Sequence, residues 1–297
     1  MIRNTIAWKN GQWLPFEQVQ LSLDDWGVLQ GATIVDRLRT IDARPLDVEL
    51  HLERLIANCD LVGIALADRE SIGTVINECV QHNQGRLPHR DFAIVVLITP
   101  GRTSLPGVPT VIVHAQSLKW DAMQQWYTAG QQLLISQPRN VPSVCWSPNL
   151  KTRSRLQYYL ADQEAINRGA RNSAAVLLDL SGCLSETSAA NILCVDCSGR
   201  VLCPPSDSIL NGISLQRTLR LAESLGMEVV RQPIDVELAK SSSEIILTGT
   251  SACIWPASQL DEVHFEKPTE QPVYQSLSAA WKTSVGYDFV RDAITQQ

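Results

Sequence analysis

The sequence has no excess of positive charge and no long apolar run. Its 297 residues contain 25 Lys and Arg against 31 Asp and Glu, which gives a net charge of −6. That balance provides no electrostatic attraction to nucleic acid or to an anionic membrane surface. No apolar stretch reaches the ~18 residues that a membrane-spanning helix needs, and the first residues lack the charged-then-apolar pattern of a signal peptide. We therefore expect a cytoplasmic protein whose partners are small molecules, with no nucleic-acid and no membrane partner.

The sequence also lacks the cysteine pattern of a disulfide framework or of a zinc site. Its eight cysteines are scattered, mostly within apolar stretches, which is typical of buried reduced thiols. Cys194 and Cys197 have the spacing of a metal or redox pair, but no second pair accompanies them. The residues from Asp196 to Gly199 indicate instead a turn between two strands. We predict no metal site.

A chain of this length is expected to hold two domains. In the first third, Asn10-Gly11 between apolar segments predicts a hairpin, and a second strand pair is expected around Asp42-Ala43. Helical spacing of apolar residues predicts helices over 47–58, with Asp47 as N-cap, and near 68–82. Apolar runs predict strands over 92–99 and 110–115. This mixture predicts an α+β fold with a small N-terminal α/β domain at residues 1–117.

The remaining residues are predicted to form a short connection and a second domain. Residues 118–130 carry no clear strand pattern and are expected to connect the two, and residues 131–297 are expected to form a larger C-terminal β-rich domain with helices. One helix is predicted from about residue 152 to 167, because apolar side chains recur at helical spacing: Leu156, Tyr159, Leu160 and Ile166. Lys151 would then lie at a loop-to-helix junction. Another helix is predicted over 214–225.

Four short segments in the second half carry most of the chemical information. They are Asn149-Leu150-Lys151-Thr152, Leu184-Ser185-Glu186-Thr187, Asn211-Gly212-Ile213-Ser214 and Thr248-Gly249-Thr250-Ser251. In order and spacing they resemble the motifs of the fold-type IV (class IV) pyridoxal-phosphate-dependent aminotransferase family, which includes branched-chain and D-amino-acid aminotransferases and aminodeoxychorismate lyase. The resemblance spans nearly the whole chain. It implies the two-domain class IV fold, a cofactor between the domains, and a homodimer.

The resemblance implies that the cofactor is pyridoxal 5'-phosphate and that Lys151 holds it as a Schiff base. This lysine would also move the proton between the substrate's Cα and C4′ of the cofactor. Glu186 matches the family glutamate that pairs with the pyridine nitrogen, and such a partner would compensate a buried carboxylate. The alternative for Glu186 is a strand-end carboxylate facing water, and that for Lys151 is a solvated lysine at a helix start. A helix N-terminus is unfavourable for a cation, so a functional role for Lys151 is favoured even without the family.

The phosphate would be bound by backbone amides at a helix N-terminus, where free N–H groups and the helix dipole favour a dianion. The matching positions are Gly212, Ile213 and Ser214, together with Thr250 as a second hydroxyl donor. Arg54 lies in a segment that matches the helix motif of the family's phosphate-binding arginine.

Substrate recognition is where the match to the family is weakest. The family usually has Tyr-Gly-Asp-Gly at the substrate wall, whereas this chain has Gln30-Gly31-Ala32-Thr33. Arg37 and Arg102 lie in segments that the family uses on its substrate side, and a guanidinium can bind an α-carboxylate with two hydrogen bonds. Ser251 is the third candidate for substrate contact.

Two details of the motifs favour different activities. Leu156 stands where branched-chain enzymes usually carry a tyrosine, and Arg155-Leu156 resembles the lyase more closely. The segment from Thr248 to Ala252 is nearer to the aminotransferases. We favour an aminotransferase that moves an amino group between an amino acid and a 2-oxo acid by a ping-pong mechanism. The alternatives are aminodeoxychorismate lyase, which releases pyruvate and 4-aminobenzoate, and a non-catalytic relative.

Overall fold

A computed structural model describes residues 4–66, 69–169 and 171–295. Met1–Arg3, at the N-terminus that was compared with a signal peptide, and Asp68, at the start of the helix predicted near 68–82, therefore lie outside the described residues. The chain divides into two compact units. The first contains the residues up to Leu118 together with Leu150–Ser154, and the second contains Lys119–Asn149 and the residues from Arg155 onward.

The first unit combines a sheet with two long helices. Its elements are β1 (Ile6–Lys9), β2 (Gln12–Pro15), α1 (Trp26–Leu29), β3 (Ile34–Ile41), β4 (Arg44–Pro45), α2 (Val48–Leu61), α3 (Arg69–Asn83), β5 (Phe92–Thr99) and β6 (Thr110–Ser117). The strands form an antiparallel sheet of order β2-β1-β6-β5-β3-β4. The apolar run of β5 suits its place between β3 and β6, because strands there bury both faces.

One face of this sheet packs against α2 and α3. Ile94, Val96 and Ile98 of β5 are buried there with Leu55 of α2 and Ile76 of α3. The strands predicted over 92–99 and 110–115 are confirmed as β5 and β6, and the predicted helices are confirmed as α2 and α3. Because side chains alternate along β5 and its neighbouring strands, the residues between these core residues point to the opposite face of the sheet.

Both predicted hairpins of the first unit are confirmed. Asn10 and Gly11 connect β1 to β2 with φ of 43° and 91°, and Asp42 and Ala43 connect β3 to β4 with φ of 52° and 60°. Two consecutive residues with positive φ make the tight turn whose twist matches that of paired strands. Asp47 precedes α2, as predicted for its N-cap, but its side chain makes no capping hydrogen bond.

Leu150–Ser154 adds an extended segment to the edge of β3, and this corrects the helix that we predicted from about residue 152. Thr152 pairs with Ile34 in an antiparallel bridge, and the Val35 N–H donates to the Lys151 carbonyl at 2.9 Å. The helix begins only at Leu156. Because these backbone groups bond to β3, residues 151–153 are not available to a helix. Lys151 thus lies in an extended segment rather than at a helix N-terminus.

The second unit has nine strands and six α-helices among its described residues. They are α4 (Trp120–Ala129), β7 (Gln131–Arg139), α5 (Leu156–Arg168), β8 (Ala174–Leu178), β9 (Leu184–Thr187), β10 (Asn191–Val195), β11 (Val201–Cys203), α6 (Ile213–Ser224), β12 (Val229–Arg231), α7 (Val236–Lys240), β13 (Glu244–Gly249), β14 (Cys253–Leu260), β15 (Val263–His264), α8 (Pro272–Val285) and α9 (Phe289–Thr295). The segment that we expected to connect the domains contains α4. The turn predicted at Asp196 is confirmed between β10 and β11.

Six of these strands form a closed ring. The order β10-β13-β14-β7-β8-β9 returns to β10 through a single pair, Asn191 opposite Glu186. A closed ring of strands leaves no free edge along its path, which is why barrels avoid edge-to-edge association. Glu186 therefore lies at the closing seam of the barrel.

Helix α5 packs on this barrel with a face that we did not predict. Ala161 and Ala165 are buried against Leu134, Ala175 and Leu177 of β7 and β8. The predicted apolar stripe points the other way: exposure is 69% for Leu156, 60% for Tyr159, 49% for Leu160 and 64% for Ile166. Small alanines let the helix lie close to the strands, so the large apolar side chains are left on the outer face. Within the described residues, no helix is long and apolar enough to cross a membrane.

Candidate active site

Lys151 is fixed through its backbone within the first unit. Its N–H donates to Oδ1 of buried Asn58 at 2.6 Å, and its carbonyl accepts from Val35. Two residues further along the chain, the Arg153 N–H donates to the Thr33 hydroxyl at 2.8 Å. Because Thr152 lies opposite Ile34 and side chains alternate along extended chain, Lys151 and Arg153 fall on the same side of the sheet as Val35.

Arg37 lies on that same side of the sheet, two residues beyond Val35 on β3. Its Nη1 donates to Oε1 of Gln116 on β6 at 2.6 Å. Burial and the neighbouring Arg153 guanidinium lower the pKa of Arg37 to about 10. Burial also lowers the pKa of His114, which lies on β6 in the same cross-strand row as Arg37, and Arg153 and Arg37 add to that effect. This side of the sheet is electropositive, as a carboxylate-binding wall requires.

Arg54 is held on the opposite, helix-covered face of β3. Its Nε and Nη2 donate to the two carboxylate oxygens of Asp36 at 2.9 and 2.8 Å, and His51 Nδ1 lies 2.7 Å from the same carboxylate. Burial raises the pKa of Asp36, but the charges of Arg54 and His51 outweigh it and hold that pKa well below its usual range. The bidentate pair fixes the guanidinium plane and leaves its Nη1 clear of Asp36.

Arg102 has a different environment from Arg37. It lies in the loop after β5, is exposed, and donates to Asp24 at 2.9 Å, while Ser104 donates to the same carboxylate at 2.6 Å. The hydrogen bond to Asp24 raises the pKa of Arg102, and the bonds from Arg102 and Ser104 lower the pKa of Asp24.

In the second unit, Glu186 is buried and hydrogen-bonded through both carboxylate oxygens. The Tyr158 hydroxyl donates to Oε1 at 2.6 Å and the Asn191 amide donates to Oε2 at 3.2 Å. Asn191 also donates to the Leu210 carbonyl at 2.9 Å and so connects the seam of the barrel to the segment before α6. A buried carboxylate with these donors fits a partner that carries a positive charge or an N–H group.

The N-terminus of α6 fits an anion. Gly212 is the N-cap and has no side chain, so it does not itself cap the first N–H groups of the helix, those of Ile213 and Ser214. We predicted the helix to begin one residue later, at Ser214, which instead lies in the first turn. A Cβ at Gly212 would lie 2.3 Å from Oδ1 of Asn191, so only glycine fits between the helix and the barrel seam.

Thr250 and Ser251 follow the end of β13 and are half-buried. Thr248 lies opposite Asn191 in the barrel, and its hydroxyl lies 3.2 Å from that of Thr218 on α6. A Cβ at Gly249 would lie 2.6 Å from the Ala189 carbonyl. The second unit thus brings Glu186, the α6 N-terminus and the turn containing Thr250 to neighbouring positions around β10.

Sequence reasoning missed three groups that support these residues. Asp36 orients Arg54, Asn58 binds the Lys151 amide, and Tyr158 binds Glu186. Asp36 had a usable signal, because a carboxylate in the apolar run of β3 requires a cationic partner. The other two are polar residues on helices, and nothing in their spacing distinguishes them from solvated side chains.

The chain matches the family model described as amino-transferase class IV over residues 33–260. Among curated proteins, a putative branched-chain-amino-acid aminotransferase of Methanocaldococcus jannaschii is 27% identical over 85% of this chain and 86% of its own length. A chloroplastic D-amino-acid transaminase of Arabidopsis thaliana is 25% identical over 86% of this chain and 69% of its own.

Solved structures agree with this family in fold. The branched-chain amino acid aminotransferase of Thermobaculum terrenum, in its PLP-form (holo-form), has a TM-score of 0.81 at 20% identity, over 98% of both chains. The α+β class IV fold that we predicted is confirmed, and the family's cofactor is pyridoxal 5'-phosphate. The chain belongs to the class IV aminotransferase family and is an aminotransferase-type enzyme of that family.

Proposed function

We propose that this enzyme moves an amino group between an amino acid and a 2-oxo acid by a ping-pong mechanism. The amino group would pass first from the donor to the enzyme, with release of a 2-oxo acid, and then to a second 2-oxo acid. The observation that carries the proposal is the buried Glu186 carboxylate with a donor on each oxygen. Such a carboxylate suits a protonated pyridine ring, which supplies an electron sink at the substrate's Cα when the cofactor is bound.

We assign the covalent and proton-transfer roles to Lys151. Its amine would link the cofactor, and after substrate displaces it, would move the proton between Cα and C4′. The hydrogen bond from the Lys151 amide to Asn58 and that from Val35 to its carbonyl support this role, because they fix the backbone from which a flexible lysine side chain extends.

The phosphate would be held by the amides of Ile213 and Ser214, with Gly212 allowing close approach. Thr250 would add a hydroxyl, and Arg54 would add a positive charge. The uncapped N-terminus of α6 and the bidentate contact of Arg54 with Asp36 support these assignments, since both present donors in fixed directions.

For the substrate carboxylate we propose Arg37, with Arg102 and Ser251 as further contacts. Arg37 is the stronger candidate of the two arginines, because it shares its side of the sheet with the Lys151 segment and lies near Arg153 and His114. An anion would relieve the repulsion among these basic groups. Arg102 already forms a surface pair with Asp24.

The test is the absorbance of the cofactor-loaded enzyme against a panel of L- and D-amino acids, with 4-amino-4-deoxychorismate included. Conversion of amino acids with release of 2-oxo acids supports the proposal. Release of pyruvate and 4-aminobenzoate would assign the lyase instead, and a protein indifferent to added cofactor would be a non-catalytic relative. Lys151→Ala should remove the absorbance of the lysine-linked cofactor, whereas Lys267→Ala, which changes an exposed lysine, should not.

We also propose that the enzyme is a cytoplasmic homodimer. All eight cysteines are free thiols, five of them buried, which suits a reducing compartment. Leu156, Tyr159 and Leu160 are exposed at helical spacing and form one apolar stripe on α5, and contiguous exposed apolar patches are typical of protein–protein contacts. Light scattering should give a dimer mass for the wild type and a monomer mass for Leu160→Glu. The control Leu61→Glu, at an exposed position on α2, should remain dimeric.

A further inference from the structure

We propose that Tyr158 is a positioning residue that keeps Glu186 ionised and oriented toward the cofactor's ring nitrogen. The inference rests on the proposed role of Glu186 and adds to it a residue on a different element. Tyr158 is the third residue of α5, 28 positions before Glu186 in the sequence, and no motif of the four segments includes it.

The geometry restricts Glu186 to one orientation. The Tyr158 hydroxyl lies 2.6 Å from Oε1, and the Asn191 amide lies 3.2 Å from Oε2. Asn191 is itself held by the Leu210 carbonyl, and Tyr158 is held by the packing of α5 on β7 and β8. A carboxylate with one donor on each oxygen cannot rotate freely, so its remaining lone pairs have defined directions.

The two donors also act on the charge of Glu186. Removing a carboxylate from water favours its neutral form, and hydrogen bonds to the charged form oppose that tendency. Burial raises the pKa of Tyr158 well above its usual value, and the charge of Glu186 raises it further, so the phenol stays protonated and acts as a donor. A neutral Glu186 could not keep the ring nitrogen protonated. The hydrogen bond from Tyr158 therefore affects how strongly the cofactor ring withdraws electrons.

Arg155 stabilises Tyr158 in this position. Its guanidinium lies 4.5 Å from the centre of the Tyr158 ring and donates to the Ser188 carbonyl, two residues after Glu186. A cation over an aromatic face is an attractive contact, so Arg155 holds the ring and the segment after β9 together. The cation also acts to lower the pKa of Tyr158, but burial and the charge of Glu186 outweigh that effect.

The test uses enzyme loaded with pyridoxal phosphate labelled with ¹⁵N in its ring. The ¹⁵N signal distinguishes a protonated from an unprotonated ring nitrogen without any turnover. Tyr158→Phe keeps the ring and its packing but removes the donor, and Tyr287→Phe makes the same change at a half-buried tyrosine after α8. Loss of a hydrogen bond to a charged group should shift the protonation equilibrium about 10-fold toward the unprotonated ring in Tyr158→Phe only. Turnover should fall with little change in KM.

A third variant separates this inference from the proposed function. Glu186→Gln should abolish the protonated-ring signal. If Glu186→Gln changes the signal and Tyr158→Phe leaves it at the wild-type position, the role of Tyr158 is refuted while that of Glu186 stands. If Glu186→Gln itself has no effect, the assignment of Glu186 fails and the inference falls with it. A purely structural Tyr158 would lower the melting temperature and leave the ¹⁵N signal of the folded enzyme unchanged.

Discussion

Replacing Gly212 with alanine tests how the N-terminus of α6 is joined to the barrel. The backbone at Gly212 has φ −62° and ψ 140°, which any residue can adopt, so the substitution causes no backbone strain. The added Cβ, however, would lie 2.3 Å from Oδ1 of Asn191. Asn191 must move, and its hydrogen bonds to Glu186 and Leu210 would be lost. A neutral hydrogen bond contributes about 1 kcal/mol and one to a charged group about 2 kcal/mol, so we expect the free energy of unfolding to fall by about 3 kcal/mol.

Urea unfolding followed by circular dichroism measures this loss directly, and cofactor binding by fluorescence measures its effect on the site. Gly73→Ala is the matched control, because there the new methyl meets only the flexible end of Leu52 at 3.1 Å and alanine favours the helix. In an Asn191→Ala background the clash is absent, so Gly212→Ala should then cost less than about 1 kcal/mol. An equal cost in both backgrounds would refute the steric argument.

Three further substitutions test the first unit. Asp36→Asn removes the charge that faces Arg54, and should lower the free energy of unfolding by about 3 kcal/mol at neutral pH. Because the folded-state pKa of Asp36 is depressed, the wild type loses this contribution as pH falls below the ordinary aspartate range. The free energy of unfolding should therefore change less with acid pH in the variant than in the wild type. Arg37→Met should raise KM for the amino donor about 10–100-fold with cofactor affinity unchanged, if it contacts the carboxylate. Asn58→Ala removes the acceptor of the Lys151 amide, and hydrogen exchange at that amide should become faster, by about 10-fold or more.

The parts of the fold that were predictable from sequence are those determined by local pattern. The apolar run of β5 and the Asn-Gly hairpin were predictable because strand propensity and turn chemistry act over a few residues. The start of α5 was not, because residues 151–153 have no local signal against a helix, and only their hydrogen bonds to β3 exclude one. Tertiary pairing overrode helix propensity there.

Periodicity also could not decide which face of α5 is buried. The large residues of the stripe that includes Leu156 and Tyr159 recur at helical spacing, and Ala161 and Ala165 recur at the same spacing on another face. The strands of the barrel approach closely enough to select the alanines. Likewise, the motifs identified Glu186 by family likeness, whereas its donor Tyr158 depends on how α5 packs on β7 and β8, which no local pattern encodes.

The discontinuous first unit has a consequence for synthesis and for recombination. Its strand-like segment Leu150–Ser154 leaves the ribosome only after Lys119–Asn149, so a nascent chain cannot complete this unit before part of the second has been made. Until then, the Val35 amide and the Asn58 side chain lack the backbone groups that they bind in the finished protein. A gene fusion or exchange that broke the chain at residue 118 would transfer the sheet and both long helices without the lysine-bearing strand. The first unit therefore cannot be inherited apart from the second, since its last segment is encoded between two stretches of the second unit.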